Sequence, residues 1–179
     1  VGPALGHTPA FVLDPGELDV EDELLHPWLD STELLDGAIE WKGRRVISVF
    51  DGRGRLREIR EFPLLERRLR RFEAKLRERS IVRNGAPWYR TIDRLRPADW
   101  QAPKLLIPGL ARIPRAAVDR SGVVPSNGVY AVFPPEGETD AVYDHLREGR
   151  LAAALNGIAP TLRNGYVRCY KHFLLKIRV

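Results

Sequence analysis

The sequence predicts an α+β fold, an irregular antiparallel sheet with one long basic amphipathic helix and short C-terminal helices. Three observations carry this. Residues 64–79 place Leu65, Leu69, Phe72 and Leu76 at spacings of four, three and four, which is one apolar stripe on a helix. From Asn84 onward, short apolar runs alternate with proline and glycine, the texture of short antiparallel strands. Near the end, Thr139 and Gly149 bracket a helical stretch and residues 151–158 suggest a second.

In chain order, Phe11-Val12-Leu13 reads as a strand stopped by Asp14-Pro15-Gly16, and the acidic residues 17–25 as helix-prone. Residues 46–50 are a β-branched run ending at Asp51-Gly52, a pair that tolerates the positive φ of a hairpin turn, with residues 56–59 as the returning strand. Pro63 suits a first helical position ahead of the amphipathic run. Residues 88–92, 105–108, 116–118 and 129–133 are the expected strands of the irregular sheet, and residues 166–170 and 174–179 those that close the chain.

A length of 179 residues suits one domain, residues 1–179, with an acidic part to residue 40 and a basic remainder. Apolar content of 44% with 30% charge is ordinary globular composition, and no run approaches the roughly 18 apolar residues of a membrane span. One cysteine, Cys169, excludes an internal disulfide and fits a reducing cytoplasm, while His7, His26, His145 and His172 show no ligand spacing. The chain begins at Val1, contains no methionine and opens on nothing like a signal peptide, so a piece excised from a larger protein is expected.

The charge distribution points to a partner. Residues 1–40 hold ten acids and no lysine or arginine, which leaves 14 acids against 29 bases, an excess of +15, for residues 41–179. Such an excess, mostly arginine, suits a polyanion, since the planar guanidinium contacts phosphate or guanine in bidentate fashion. The candidate DNA contacts are Arg67, Arg68 and Arg71 on the helix; Tyr89, Arg90 and Arg94 around Trp88; Lys104, Arg112, Arg115 and Arg120 between the later strands; Asn127; and Arg168 and Lys171 near the end. Each has a plain structural alternative: a solvated helix face, core packing for Trp88, a simple turn for Ser126-Asn127-Gly128. A recognition surface requires Arg67, Arg68, Arg71, Arg90, Arg112, Arg115 and Arg120 to converge on one face with the acidic first forty residues apart, and scatter over opposite faces or internal pairing with Asp and Glu makes that form of the recognition reading untenable.

The order of features resembles the C-terminal region of the TaqI-type and BREX-type adenine-N6 DNA methyltransferases of bacteria. The pieces that carry the resemblance are Gly6-His7-Thr8-Pro9-Ala10-Phe11-Val12, Glu23-Leu24-Leu25-His26-Pro27-Trp28-Leu29, Phe62-Pro63-Leu64-Leu65, Leu76-Arg77-Glu78-Arg79 and Trp88-Tyr89. Lys104-Leu105-Leu106-Ile107-Pro108, Val129-Tyr130-Ala131-Val132-Phe133, Leu155-Asn156 and Gly165-Tyr166-Val167-Arg168 follow in the same order. The resemblance implies a target-recognition domain of a restriction-modification or phage-defence enzyme. Its partners are double-stranded DNA and the catalytic domain of the same parent chain, and S-adenosylmethionine is bound by that other domain. Here the Asn/Asp-Pro-Pro-Tyr/Phe motif that holds a flipped adenine is absent, with Phe133-Pro134-Pro135-Glu136 only an echo, and Gly52-Arg53-Gly54 lacks the later glycine of a methyl-donor turn. Neither catalysis nor cofactor binding is expected of this chain, and no metal.

Two other function classes fit single features. The acidic first forty residues suit a module that docks a basic protein. Asp30, Asp36 and Glu40-Trp41-Lys42 match the loose Asp…Glu-x-Lys pattern of magnesium-dependent nucleases.

Overall fold

The computed structural model describes residues 1–17 and 19–177. Where one domain is expected, the contacts divide the chain into two compact units. One comprises residues 3–28 and 42–100, the other residues 1–2, 29–41 and 101–179. The secondary structure is mixed, with short helices and small antiparallel sheets, as expected of an α+β chain.

In the first unit the helix Thr8–Phe11 runs into the strand Val12–Leu13, which pairs antiparallel with Arg45–Ile47. The other edge of Arg45–Ile47 takes the strand Leu25–Leu29, with Leu25 opposite Ile47 and His26 opposite Val46. The acidic stretch expected to be helical makes one 3-10 turn, Asp22–Leu24, and then becomes that strand. The reason is burial: Leu24 and Trp28 are at most 3% exposed, and tertiary packing overrides a weak local propensity. After Phe50 the chain turns on Asp51, whose carboxylate accepts the backbone N–H of Arg53 (2.9 Å) and Arg55 (2.8 Å). The expected returning strand is reduced to a single bridge between Phe50 and Leu56, and residues 59–61 are a 3-10 turn.

The long helix is two helices, Pro63–Arg70 and Glu73–Arg77. At Arg71 and Phe72 the backbone tightens to i→i+3 bonds, Arg71 N–H to Arg68 and Phe72 N–H to Leu69 (2.9 Å). The apolar stripe survives the break, with Leu65, Leu69 and Leu76 buried. The N-terminus of the first of these helices is capped at long range: the Glu21 carboxylate accepts from Leu64 N–H (2.7 Å) and Leu65 N–H (2.9 Å). Two orphan donors at the positive end of a helix thereby gain an anionic acceptor. Glu21→Ala should cost about 1–2 kcal/mol in urea denaturation.

In the second unit the strand Lys104–Pro108 is central, flanked antiparallel by Val129–Val132 and Ala117–Asp119. All five of its residues are buried. Leu105 and Ile107 face one layer, where Leu146, Leu151 and Leu155 of the helices Thr139–Leu146 and Arg150–Leu155 pack with Cys169. Leu106 faces the opposite cluster of Leu29, Val123 and Val129, the alternation that a period of two requires. Burial pushes the Cys169 thiol up to about 11, so it stays protonated and inert. A hairpin not anticipated in the sequence, Leu34–Leu35 with Ala38–Ile39, turns on Asp36 (φ 50°) and Gly37 (φ 83°). Both positive angles are what a type I′ turn demands. Gly149 (φ 83°) does not end the helix Thr139–Leu146 but caps the start of Arg150–Leu155.

Two further strand expectations fail. Residues 88–92 form turns rather than a strand. Leu174 belongs to the helix Lys171–Leu174, residues 175–177 are not strand, and Arg178 and Val179 lie outside the described residues. No helix among the described residues is long and apolar enough to cross a membrane.

Candidate nucleic-acid interface

The charge asymmetry along the sequence does not survive folding. Counted by unit, there are 18 bases against 14 acids in residues 3–28 and 42–100, and 11 against 10 in the remainder, which together account for the net +5. The expectation that the acidic first forty residues lie apart from the candidate cations is overturned. Asp22 pairs with Arg45 at 2.8 Å, and Asp19 binds both Arg68 (2.7 Å) and Arg71. Opposite charges a few residues from a shared core find each other because pairing lowers the cost of holding either near apolar surface. Although burial opposes it, the hydrogen bonds and charges of Arg68 and Arg71 hold the Asp19 carboxyl below its usual range. Asp19, half-buried between two arginines, is committed to its own unit.

Arg68 is the first correction to the candidate contacts. It is 3% exposed, and its five donors meet the carbonyls of Pro9 (3.2 Å), Ala10 (3.2 Å) and Val12 (3.0 Å) and the carboxylates of Asp19 (2.7 Å) and Glu17 (3.4 Å). Those carbonyls belong to the end of the short helix and the residue beyond it, so Arg68 acts as a tertiary cap and has no donor left for phosphate. Elsewhere on this basic face Arg70 binds Glu66 and Glu73 at 2.8 Å each, and Arg77 binds Glu73 at 2.6 Å. Arg67 is exposed and has no ion-pair partner among the described residues.

Around Trp88 the aromatic and cationic groups engage one another. Trp88 is half-buried, with the guanidinium groups of Arg70 and Arg77 5.2 and 5.6 Å from its ring centre. The Tyr89 hydroxyl donates to the Arg57 carbonyl (3.0 Å), and Arg90 folds back to donate to the carbonyls of Thr91 and Ile92. Arg94 is exposed.

In the second unit Lys104 is the other correction. It is fully buried and pairs with Asp119, the residue opposite it in the sheet. Asp119 also accepts from Ser121 N–H (2.9 Å), Ser121 Oγ–H (2.7 Å) and Val123 N–H (3.2 Å). Burial pulls the ammonium of Lys104 below its ordinary value, against the hydrogen bond and charge of Asp119. Burial also pushes Asp119 upward, and its hydrogen bonds outweigh that and hold the carboxyl low. The pair is buried, with side-chain exposures of 0% and 1%, and out of reach of DNA. Asn127 is exposed in a turn closed by Val129 N–H to the Ser126 carbonyl (3.0 Å), and Arg120 pairs with Asp140 at 2.5 Å. Arg115 stands 4.0 Å from Asp36, and Lys171 is exposed.

What the second unit does bring together is a small ribbon. The strand Leu110–Ala111 pairs antiparallel with Val167–Arg168, and Thr161 bridges to Val167 across a hairpin of residues 161–167. The hairpin closes through Leu162 N–H to Tyr166 (2.8 Å) and Gly165 N–H to Leu162 (2.9 Å), with Gly165 at φ 74°. Arg112 lies over the Tyr166 ring at 5.3 Å; Arg168 lies over Tyr170 at 5.4 Å and donates to its hydroxyl (2.8 Å). Beside the ribbon Arg112, Ile113, Asn156, Thr161 and Val167 help line a cleft of 300 Å³. Residues 104–118 and 149–177, which supply the ribbon, contain no acid. Of the candidate contacts, Arg112 and Arg168 are therefore brought together. Arg163, Asn164 and Tyr166 were missed, although Asn164-Gly165 is the dipeptide that most strongly signals a tight hairpin.

The described residues hold no group of three or more His, Cys, Asp or Glu side chains placed to bind a metal. Asp30, a member of the nuclease-like pattern, is committed to capping Ser31–Glu33, its carboxylate accepting Thr32 N–H while Glu33 accepts Asp30 N–H (2.7 Å). In Gly52-Arg53-Gly54 the Arg53 N–H donates to the Asp51 carboxylate (2.9 Å) and the Gly54 N–H to the Asp51 carbonyl (2.8 Å), so two of the three amides are engaged within the turn.

No family model matches the sequence. Over 180 aligned residues, all of this chain, it is 28% identical to the type II methyltransferase M.BstVI of Geobacillus stearothermophilus and 29% identical to M.PaeR7I of Pseudomonas aeruginosa. It is 26% identical to M.XhoI of Xanthomonas vasicola, and it spans about a third of the length of each, 32%, 31% and 33% in turn. Among solved structures the type IIL restriction-modification enzyme MmeI, determined in complex with DNA, shares the fold at a TM-score of 0.54 and 16% identity, covering 79% of this chain and 20% of that one. The resemblance carried by the motifs is borne out: along its whole length this chain is similar to one third of a type II methyltransferase.

Proposed function

We propose that this chain is the part of a type II DNA methyltransferase that grips and recognises duplex DNA. Transfer of the methyl group, to adenine N6 from S-adenosylmethionine, takes place in another part of the parent protein, working in the bacterial cytoplasm. The observation that carries this reading is the acid-free ribbon of Arg112 and Arg168 in a chain that aligns throughout with a third of three methyltransferases. The fold shared with an enzyme solved on DNA supports it. The ribbon's cations meet phosphate or base edges, and Arg67 and Arg94, exposed in the other unit, add phosphate contacts.

Two measurements test this. Fluorescence anisotropy of the 179-residue chain on a labelled duplex should show binding that weakens with salt, log K falling by roughly 0.9 per phosphate contact for each unit of log salt. No interaction at low ionic strength, or one indifferent to salt, would contradict it. Calorimetry should detect no binding of S-adenosylmethionine to the chain, and tight binding would relocate the chemistry into it.

A further inference from the structure

Resting on that reading, we infer that the hairpin of residues 161–167 is the element that enters the major groove and reads bases, with Arg163 as a guanine reader at its tip. Arg163 and Asn164 are exposed at the turn, and neither side chain has a hydrogen-bond or ion-pair partner among the described residues. Of the other arginines described in its unit, Arg115, Arg120, Arg147 and Arg150 each stand within 4.0 Å of a carboxylate, and Arg112 and Arg168 lie over tyrosine rings. An arginine without a partner at the tip of a hydrogen-bonded turn leaves all its donors available to a partner outside the chain.

The neighbouring groups suit the same role. A two-stranded ribbon fits the major groove, about 12 Å wide, and not the minor groove at about 6 Å. Tyr166, on the returning arm of the hairpin, holds Arg112 by stacking at 5.3 Å, which fixes a second guanidinium beside the tip. Leu110 (48% exposed) and Ile113 (61% exposed) stand out to solvent on the adjoining segment. Apolar side chains left exposed beside guanidinium donors match an edge that offers both guanine acceptors and thymine methyl groups. The absence of any acid from residues 149–177 lets the hairpin approach phosphate without repulsion.

The test is selection from a pool of duplexes with a randomised centre, using the 179-residue chain as wild type, Arg163→Ala and Arg163→Lys. Wild type should enrich a defined sequence. Arg163→Lys keeps a charge for phosphate but not the bidentate fork, so it should bind random duplex within about threefold of wild type. At one guanine position its preference should fall by about tenfold or more. Replacing that guanine by 7-deazaguanine, which lacks the major-groove acceptor N7, should weaken wild type and leave Arg163→Ala unaffected. If both variants keep the wild-type preference at every position, or wild type enriches nothing while still binding DNA in a salt-dependent way, the hairpin is not the reader. If wild type binds no duplex at low salt, the DNA-recognition reading itself falls, and this inference with it.

Discussion

Arg68→Ala should destabilise the chain by about 3–5 kcal/mol, the cost of breaking a buried charge network by removing one partner. The side chain is 3% exposed and holds the carbonyls of Pro9, Ala10 and Val12 together with Asp19. Its loss strands buried acceptors at the end of the helix Thr8–Phe11, each costing about 1–3 kcal/mol when unsatisfied, with part recovered by water. Arg67→Ala, one residue away on the exposed face, should change stability by less than about 0.5 kcal/mol. Urea denaturation of both variants checks this. The comparison also separates structure from recognition: if Arg68→Ala folds as stably as wild type and only weakens DNA binding, Arg68 is a phosphate contact and the capping role is wrong.

Asp119→Ala should be of similar size, about 3–5 kcal/mol, because it takes the counter-ion away from the buried Lys104 ammonium. It also removes the acceptor of Ser121 and Val123 N–H. The pH dependence gives a sharper signature. In the variant nothing from Asp119 opposes the effect of burial on Lys104, so its folded value drops further below its unfolded one. Between those two values the unfolded chain binds the extra proton. Stability of Asp119→Ala should therefore rise with pH across the alkaline range up to the ordinary lysine value, relative to wild type. In wild type the depressed Asp119 carboxyl contributes stability that is present above the ordinary carboxyl value and lost as pH falls through its folded value. The double variant Lys104→Met with Asp119→Asn should recover most of the loss, since neither buried charge then remains.

The sequence carries the second unit better than the first. The runs at Lys104–Pro108, Ala117–Asp119 and Val129–Val132 are legible because each is apolar, short and stopped by turn residues, and they do form one antiparallel sheet. The helices Thr139–Leu146 and Arg150–Leu155 are legible from their periodicity, though not the part Gly149 plays between them. In the first unit periodicity predicts one helix over residues 64–79, and no local pattern announces the tightening at Arg71 and Phe72. The acidic stretch was misread because its carboxylates serve distant partners: Glu21 caps a helix some forty residues on, and Asp19 binds Arg68 and Arg71. Long-range pairing of this kind leaves no trace in spacing. For the same reason a linear charge count placed Arg68 and Lys104 on a surface when both are buried. The hairpin at Asn164-Gly165 was legible and passed over, whereas the stacking of Arg112 on Tyr166 joins residues too far apart in the chain to be read together.

The central claim is that this chain selects DNA by sequence, and a competition experiment tests it most directly. The duplex recovered by selection with the wild-type chain is set against a scrambled duplex of the same composition and length at physiological salt. Recognition predicts a preference of about 100-fold or more for the selected duplex, because specific complexes gain base contacts that the salt-sensitive phosphate contacts do not supply. Equal affinity for the two duplexes at every salt concentration would contradict it and leave the chain a nonspecific polycation.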